Sequence, residues 1–147
     1  MHVSLVGSEM CIRDRLNGAL GGLVAITAEP LMPSPLMAII IGGIGGALVF
    51  AGTELLVSLK IDDVVGAIPV HLIAGVWGTL AVPITNPDTS FGTQLLGTAS
   101  ICVFVFVVSL IIWAIMKATI GIRISEEAEK EGTDVAETGV IAYSIRD

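Results

Sequence analysis

The chain has 147 residues, 54% of them hydrophobic and only 14% charged, with a mean hydropathy of +0.91. An ordinary soluble domain carries about 25% charged residues, so this composition excludes one and points to an integral membrane protein. The formal charge of −7 belongs mostly to a hydrophilic tail and marks no surface for nucleic acid.

The amino terminus, MHVSLVGSEMCIRDR, has no basic start and no small-residue cleavage site, so it is a poor signal peptide. The string VSLVGSEMCIRDR resembles a translated sequencing-adapter read-through. Residues 1–15 are therefore expected to be non-native, and His2 and Cys11 carry no functional argument. The chain is then expected to be the carboxy-terminal part of a longer one, cut inside a transmembrane helix.

Four uncharged runs follow. Leu16–Ala28 is too short to cross a hydrocarbon core, which takes about 20 apolar residues. Leu36–Thr53 extends through Leu59 into a full span, Val64–Val82 is the third run, and Thr93–Met116 is the most apolar. Backbone groups cannot stay unpaired in lipid, so these runs predict helices over about 16–28, 36–59, 64–82 and 93–119. EPLMPSP at 29–35, KIDD at 60–63 and PITNPDTS at 83–90 read as turns. Gly42 and Gly46, with Gly43 and Gly45 beside them, predict close helix packing. The fold class is all-α: a multi-pass transmembrane helical bundle over residues 16–121 and an acidic tail over 122–147.

The charges between Leu16 and Gly121 are Glu29, Glu54, Lys60, Asp62, Asp63, Asp88 and Lys117. Lys60, Lys117 and Arg123 fall on one side of the bundle, while the loops with Glu29 and Asp88 hold no cation. The positive-inside rule places the 60–63 loop and the tail in the cytoplasm. Glu54 is expected to snorkel or pair with Lys60. Cys11 and Cys102 show neither metal-site spacing nor a disulfide framework, and Cys102 reads as a small core residue.

His71 is the sole ionisable side chain between Val64 and Pro87. A full charge at membrane depth costs about 2.5 kcal/mol or more, so such a residue is retained to line a polar path or to meet a partner. The alternative is a neutral imidazole satisfied by a carbonyl. Ala74, Gly75 and Gly78 follow at +3, +4 and +7 and predict a low-profile face. Trp77 reads as packing or interfacial, with a place at the pore border as the alternative, and Trp113 as packing or aromatic belt. Pro69 is expected to pack, with loosening of the backbone near His71 as the alternative. Asp62 and Asp63 are placed to cap the third helix and complement its dipole. SEEAEKE at 125–131 reads as a solvated face.

Three stretches in order resemble the ammonium transporter family (Amt/Mep/Rh). NGALGGLVAITA at 17–28 is similar to its eighth helix, and LKIDDVVGAIPVHLIAGVWGTLAV at 59–82 to the pattern KIDDPVGAxxVHGxxGxWGTL of its tenth. IGIRISEEAEKEGTDVAETGVIAY at 120–143 is similar to the tail pattern GLRVSxEEExxGLDxxEHGxxAY. The resemblance implies helices eight to eleven of an eleven-helix protomer in a cell-membrane homotrimer, with a cytoplasmic carboxy terminus. It makes His71 the second of two pore histidines, the first lying upstream of this chain. The implied function is ammonium or ammonia transport through a hydrophobic, histidine-lined pore.

The tail residues matching the pattern are Glu126, Glu127, Gly132, Asp134, Gly139 and Tyr143, implying a regulatory surface and, in many members, a PII-type signal protein as partner. The departures are Val64 for Pro, Leu72 for Gly, Thr133 for Leu and Thr138 for His; the last two weaken the regulatory inference. An ammonium sensor of the same fold is the alternative, and a structural subunit of a membrane complex a weaker one. No nucleophile–base pair, metal cluster or cofactor fingerprint points to an enzyme, a cofactor or a metal, and no nucleic-acid partner is expected.

Overall fold

The computed structural model describes residues 15–31 and 33–140, all helix and connecting turn. Among the described residues three helices are long and apolar enough to cross a membrane: α2 (Pro35–Ser58), α3 (Ile68–Thr85) and α4 (Phe91–Thr119). They follow a shorter apolar α1 (Arg15–Ile26). Of the stretch 1–15 expected to be non-native, residues 1–14 lie outside the described residues, as does the tail residue Tyr143, while Arg15 stands at the start of α1.

Local chemistry sets the helix ends. Ser34 caps α2, its hydroxyl accepting from the Met37 N–H at 3.3 Å, and Pro35 fills the first helical position, where no donor is needed. At the other end Lys60 has φ +57°, and the N–H groups of Ile61 and Lys60 turn back onto the carbonyls of Leu56 and Val57. That is the Schellman pattern, with lysine in the place glycine usually takes.

α3 departs from the sequence expectation at both ends. It was expected over 64–82, but Val64 and Val65 form a turn, Gly66 takes φ +76°, and the helix proper runs from Ile68. It then continues to Thr85, carrying Pro83 in its last turn where a loop was expected. A proline there removes only one helical bond, and its fixed φ suits the helix.

Glycine lets α1, α2 and α3 meet at backbone distance. A Cβ built on Gly22 would lie 3.0 Å from the Gly42 carbonyl oxygen, and one on Gly46 2.9 Å from that of Gly18. Gly45 faces Ala25, while Gly43 faces open space, so three of the four clustered glycines form the predicted seam. Gly78 brings α3 against the Ala25 backbone. Buried positions on α2, namely Ile41, Gly45, Val49, Gly52 and Leu56, recur every three or four residues, the spacing of one helix face. The core is small-residue packing around Ala25, Ile41 and Ala81 and around Val49, Val70 and Ala74.

The chain divides into two compact units, one ending at Cys102 and one beginning at Val103. The division falls within α4, not near residue 121 where the composition changes. No residue of α4 is buried. In the second unit Ser125 caps a short α5 (Glu126–Glu131), accepting from the Ala128 N–H at 3.2 Å, and acidic side chains fill its first turn. A π-helical turn follows over Asp134–Thr138.

Candidate functional site: the His71 cleft

The approach to His71 is built by the corner at 63–67. The two carboxylate oxygens of Asp63 accept from the Ala67 and Ile68 N–H groups, both at 2.8 Å, and so cap α3. Burial, the largest single influence, pushes the Asp63 carboxyl up, but hydrogen bonds from the backbone of Ile68, Ala67, Gly66 and Val65 outweigh it. The net effect holds Asp63 below its ordinary value. Asp62 is exposed and makes no hydrogen bond among the described residues.

Past this corner the chain winds as a π-helical turn over Ile68–Ile73, with the Ala74 N–H reaching the carbonyls of both His71 and Pro69. Turns of this kind recur at functional sites because they rotate side chains off the regular helical face. Pro69 and Val70 are buried, and Val70 packs on Val49, well inside α2. His71 therefore sits level with the interior of a spanning helix, not with its end. Its own side chain is exposed, and among the described residues it meets no hydrogen-bond partner.

His71 opens onto a cleft of about 330 Å³ between α3 and the first part of α4. Gly75 and Thr79 continue its wall on α3, and Gln94, Thr98 and Cys102 stand on the α4 wall among Leu72, Val76 and Ile101. The Thr79 hydroxyl donates to the Gly75 carbonyl at 2.9 Å. The cleft is apolar with a few polar groups strung along it, the usual make-up of a site that handles a small molecule.

The low-profile residues divide between two jobs. Gly75 lies on the cleft with His71, whereas Ala74 is fully buried and Gly78 rests on α1. Trp77 packs on the Ala25–Ile41–Ala81 cluster, and its indole N–H donates to the Ile41 carbonyl at 3.0 Å. Far along the chain, Glu126 and Glu127 are exposed in α5, and Gly132 and Gly139 take φ +105° and +69° at the turns flanking Asp134. Arg123 meets Glu129 at 3.5 Å, both well exposed. Among the described residues no group of three or more His, Cys, Asp or Glu converges as a metal site would.

Sequence reasoning missed Asn17, whose side-chain amide donates to the Val65 carbonyl at 3.1 Å. It also missed the Gln94, Thr98 and Cys102 wall. Asn17 could have been flagged as a lone amide in an apolar run; the α4 wall is visible as polar residues four apart, 94, 98 and 102.

Residues 9–143 match the family model described as Ammonium Transporter Family. The ammonium transporter Amt2 of Archaeoglobus fulgidus is 40% identical over 148 residues, covering 86% of this chain and 31% of that protein. Ammonium transporter Amt1 of Haloferax mediterranei is 38% identical over 132 residues, covering 86% of this chain and 26% of that protein. The ammonium transporter of Bacillus subtilis is 35% identical over 155 residues, covering 95% of this chain and 38% of that protein. The chain thus spans a quarter to two fifths of the length of these relatives.

Proposed function

The chain belongs to the ammonium transporter family, and from that premise we propose that it supplies the His71 wall of an ammonia path through a membrane-embedded protomer. The observation that carries the reading is the placement of His71: level with the interior of α2, exposed on an apolar cleft, and turned there by a π-helical backbone. Ammonium entering a dry channel loses its hydration, and charge at that depth is costly. Release of one proton lets the neutral molecule cross. A neutral imidazole donates through one ring nitrogen and accepts through the other, so it can guide ammonia or relay the proton.

The same reading proposes a homotrimer in the cell membrane with α5 and the following turn on the cytoplasmic side. There the tail modulates flux and offers a surface to a PII-type signal protein. Support for a single-sided tail is its charge: Glu126, Glu127, Glu129 and Glu131 on one short helix do not enter a bilayer.

The deciding experiment is His71→Ala in the complete transporter reconstituted in vesicles, read by labelled methylammonium uptake and by transport current. Impaired flux or altered cation selectivity in a folded, assembled protein is the expected result. Wild-type flux, current and selectivity would make His71 a structural histidine.

A further inference from the structure

A threonine inside a spanning helix ordinarily turns its hydroxyl onto a carbonyl three or four residues back, where it is paired without water. Thr53 does so on Val49 at 2.9 Å, Thr79 on Gly75 at 2.9 Å, Thr85 on Val82 at 3.3 Å and Thr119 on Ile115 at 2.8 Å. Thr98 does not. Its Oγ1, about two turns into α4, is closed off from water and meets no hydrogen-bond partner. Among the described residues it is the sole buried side-chain nitrogen or oxygen in that state. A buried hydroxyl left unpaired is costly, and such groups persist where something beyond the chain's own hydrogen bonds completes them.

Thr98 lines the cleft onto which His71 opens, and the imidazole too lacks a partner among the described residues. Leu72, Val76 and Ile101 around them offer no competing side-chain hydrogen bond. Rotation about Cα–Cβ is all that separates a threonine hydroxyl from the space its residue lines. A molecule that completes both side chains must donate and accept at once. Ammonia does, with three N–H bonds and one lone pair.

We propose that Thr98 is a substrate-contacting residue of this cleft: its hydroxyl accepts an N–H of ammonia while the His71 imidazole donates to the lone pair of the same molecule. The proposal deepens the pore reading of His71 and rests on it for the second contact.

The test uses Thr98→Val and Thr98→Ser in the complete transporter. It reads labelled methylammonium uptake into vesicles and thermal unfolding from detergent without ammonium. Thr98→Val keeps the shape and loses the hydroxyl. It should cut uptake roughly three- to tenfold, the worth of one hydrogen bond. It should also melt no lower than wild type, because the hydroxyl it removes is unpaired in the empty protein. Thr98→Ser should retain most of the uptake. In the His71→Ala background Thr98→Val should cost less than it does alone, since the molecule both groups hold has already lost one contact.

Wild-type uptake in Thr98→Val would overturn the proposal, and so would Thr98→Ser impaired as much as valine. A Thr98→Val protein that melts clearly lower or fails to fold would do the same, because the hydroxyl would then have a structural partner elsewhere in the protomer. An equal loss in both His71 backgrounds would overturn the shared contact. His71→Ala separates this idea from the pore reading. Normal flux in His71→Ala with impaired flux in Thr98→Val removes the His71 pore and leaves the path on the α4 wall. Impaired flux in His71→Ala with normal flux in Thr98→Val does the reverse.

Discussion

Asn86 donates from its side-chain amide to Oε2 of Glu29 at 2.9 Å, tying the connection after α1 to the connection after α3. At the opposite end of these helices Asn17 reaches Val65. The two bridges hold α1 against α3 from both ends, and they put the Glu29 loop and the Asn86 loop on one side, as alternate crossings require. A half-buried hydrogen bond to a charged acceptor is worth about 1.5–3 kcal/mol, at the lower end when water reaches it. Glu29→Ala should therefore cost about 1–2 kcal/mol in reversible unfolding from detergent. Glu29→Gln, which keeps an acceptor oxygen, should recover most of it; equal losses in both variants would count against the bridge.

Asp63 gives a pH signature. Its folded value is held low, so it contributes stability that is fully present above the ordinary carboxylate range and is lost as pH falls through the depressed folded value. The unfolded carboxyl titrates near pH 4, so the loss begins there and continues downward. Asp63→Asn keeps one acceptor and removes the charge. It should be less stable than wild type at neutral pH, and the gap should close as wild type is acidified below that range. A gap that stays constant from pH 7 downward would show that the cap does not act through its charge.

The helices were legible because their cause is a solvent effect: an uncharged run long enough to cross lipid has few other options. The glycine seam was legible for a related reason, since small residues four apart on a spanning helix serve mainly close approach. The start of α3 was not legible, because Val64 and Val65 continue the apolar run while the positive φ of Gly66 and the Asp63 cap interrupt the helix. Hydropathy does not register dihedral angles. At the site, His71 stood out by its solitude. The division of Ala74, Gly75 and Gly78 did not, because a π-helical turn shifts the phase that regular helical spacing assumes. Asn17 and Val65 are far apart in sequence, and only the fold brings them together.

The seam makes a paired prediction. A methyl at Gly78 would run into the Ala25 backbone, which has no rotamer to yield, while a methyl at Gly43 meets nothing within 4 Å. Gly78→Ala should cost about 1–3 kcal/mol, as overpacking does. Gly43→Ala should be neutral or stabilising by about 0.5–1 kcal/mol, the helix preference of alanine over glycine. Cysteine cross-linking between α1 and α3 would report the first effect directly. Cross-linking unchanged in Gly78→Ala would mean that α1 sits elsewhere.

Leu72 stands next to His71 on the cleft, where related patterns have glycine, and half of its surface is exposed there. On the pore reading its side chain narrows the path beside the imidazole. A site discriminates by a methyl group through about 1–3 kcal/mol of steric and contact energy. Leu72→Ala should therefore raise uptake of methylammonium relative to ammonium by several-fold to about tenfold, while ammonium flux itself changes little. Alanine is chosen over glycine because glycine in a helix would add a backbone cost of about 1 kcal/mol and blur the result. The ratio should be measured by competition in the same vesicles, so that differences in expression cancel. Leu72→Ala and His71→Ala should also combine non-additively, since both act on one constriction. An unchanged ratio with intact folding would place the constriction away from the His71 cleft and leave Leu72 as a surface that packs against neighbouring helices.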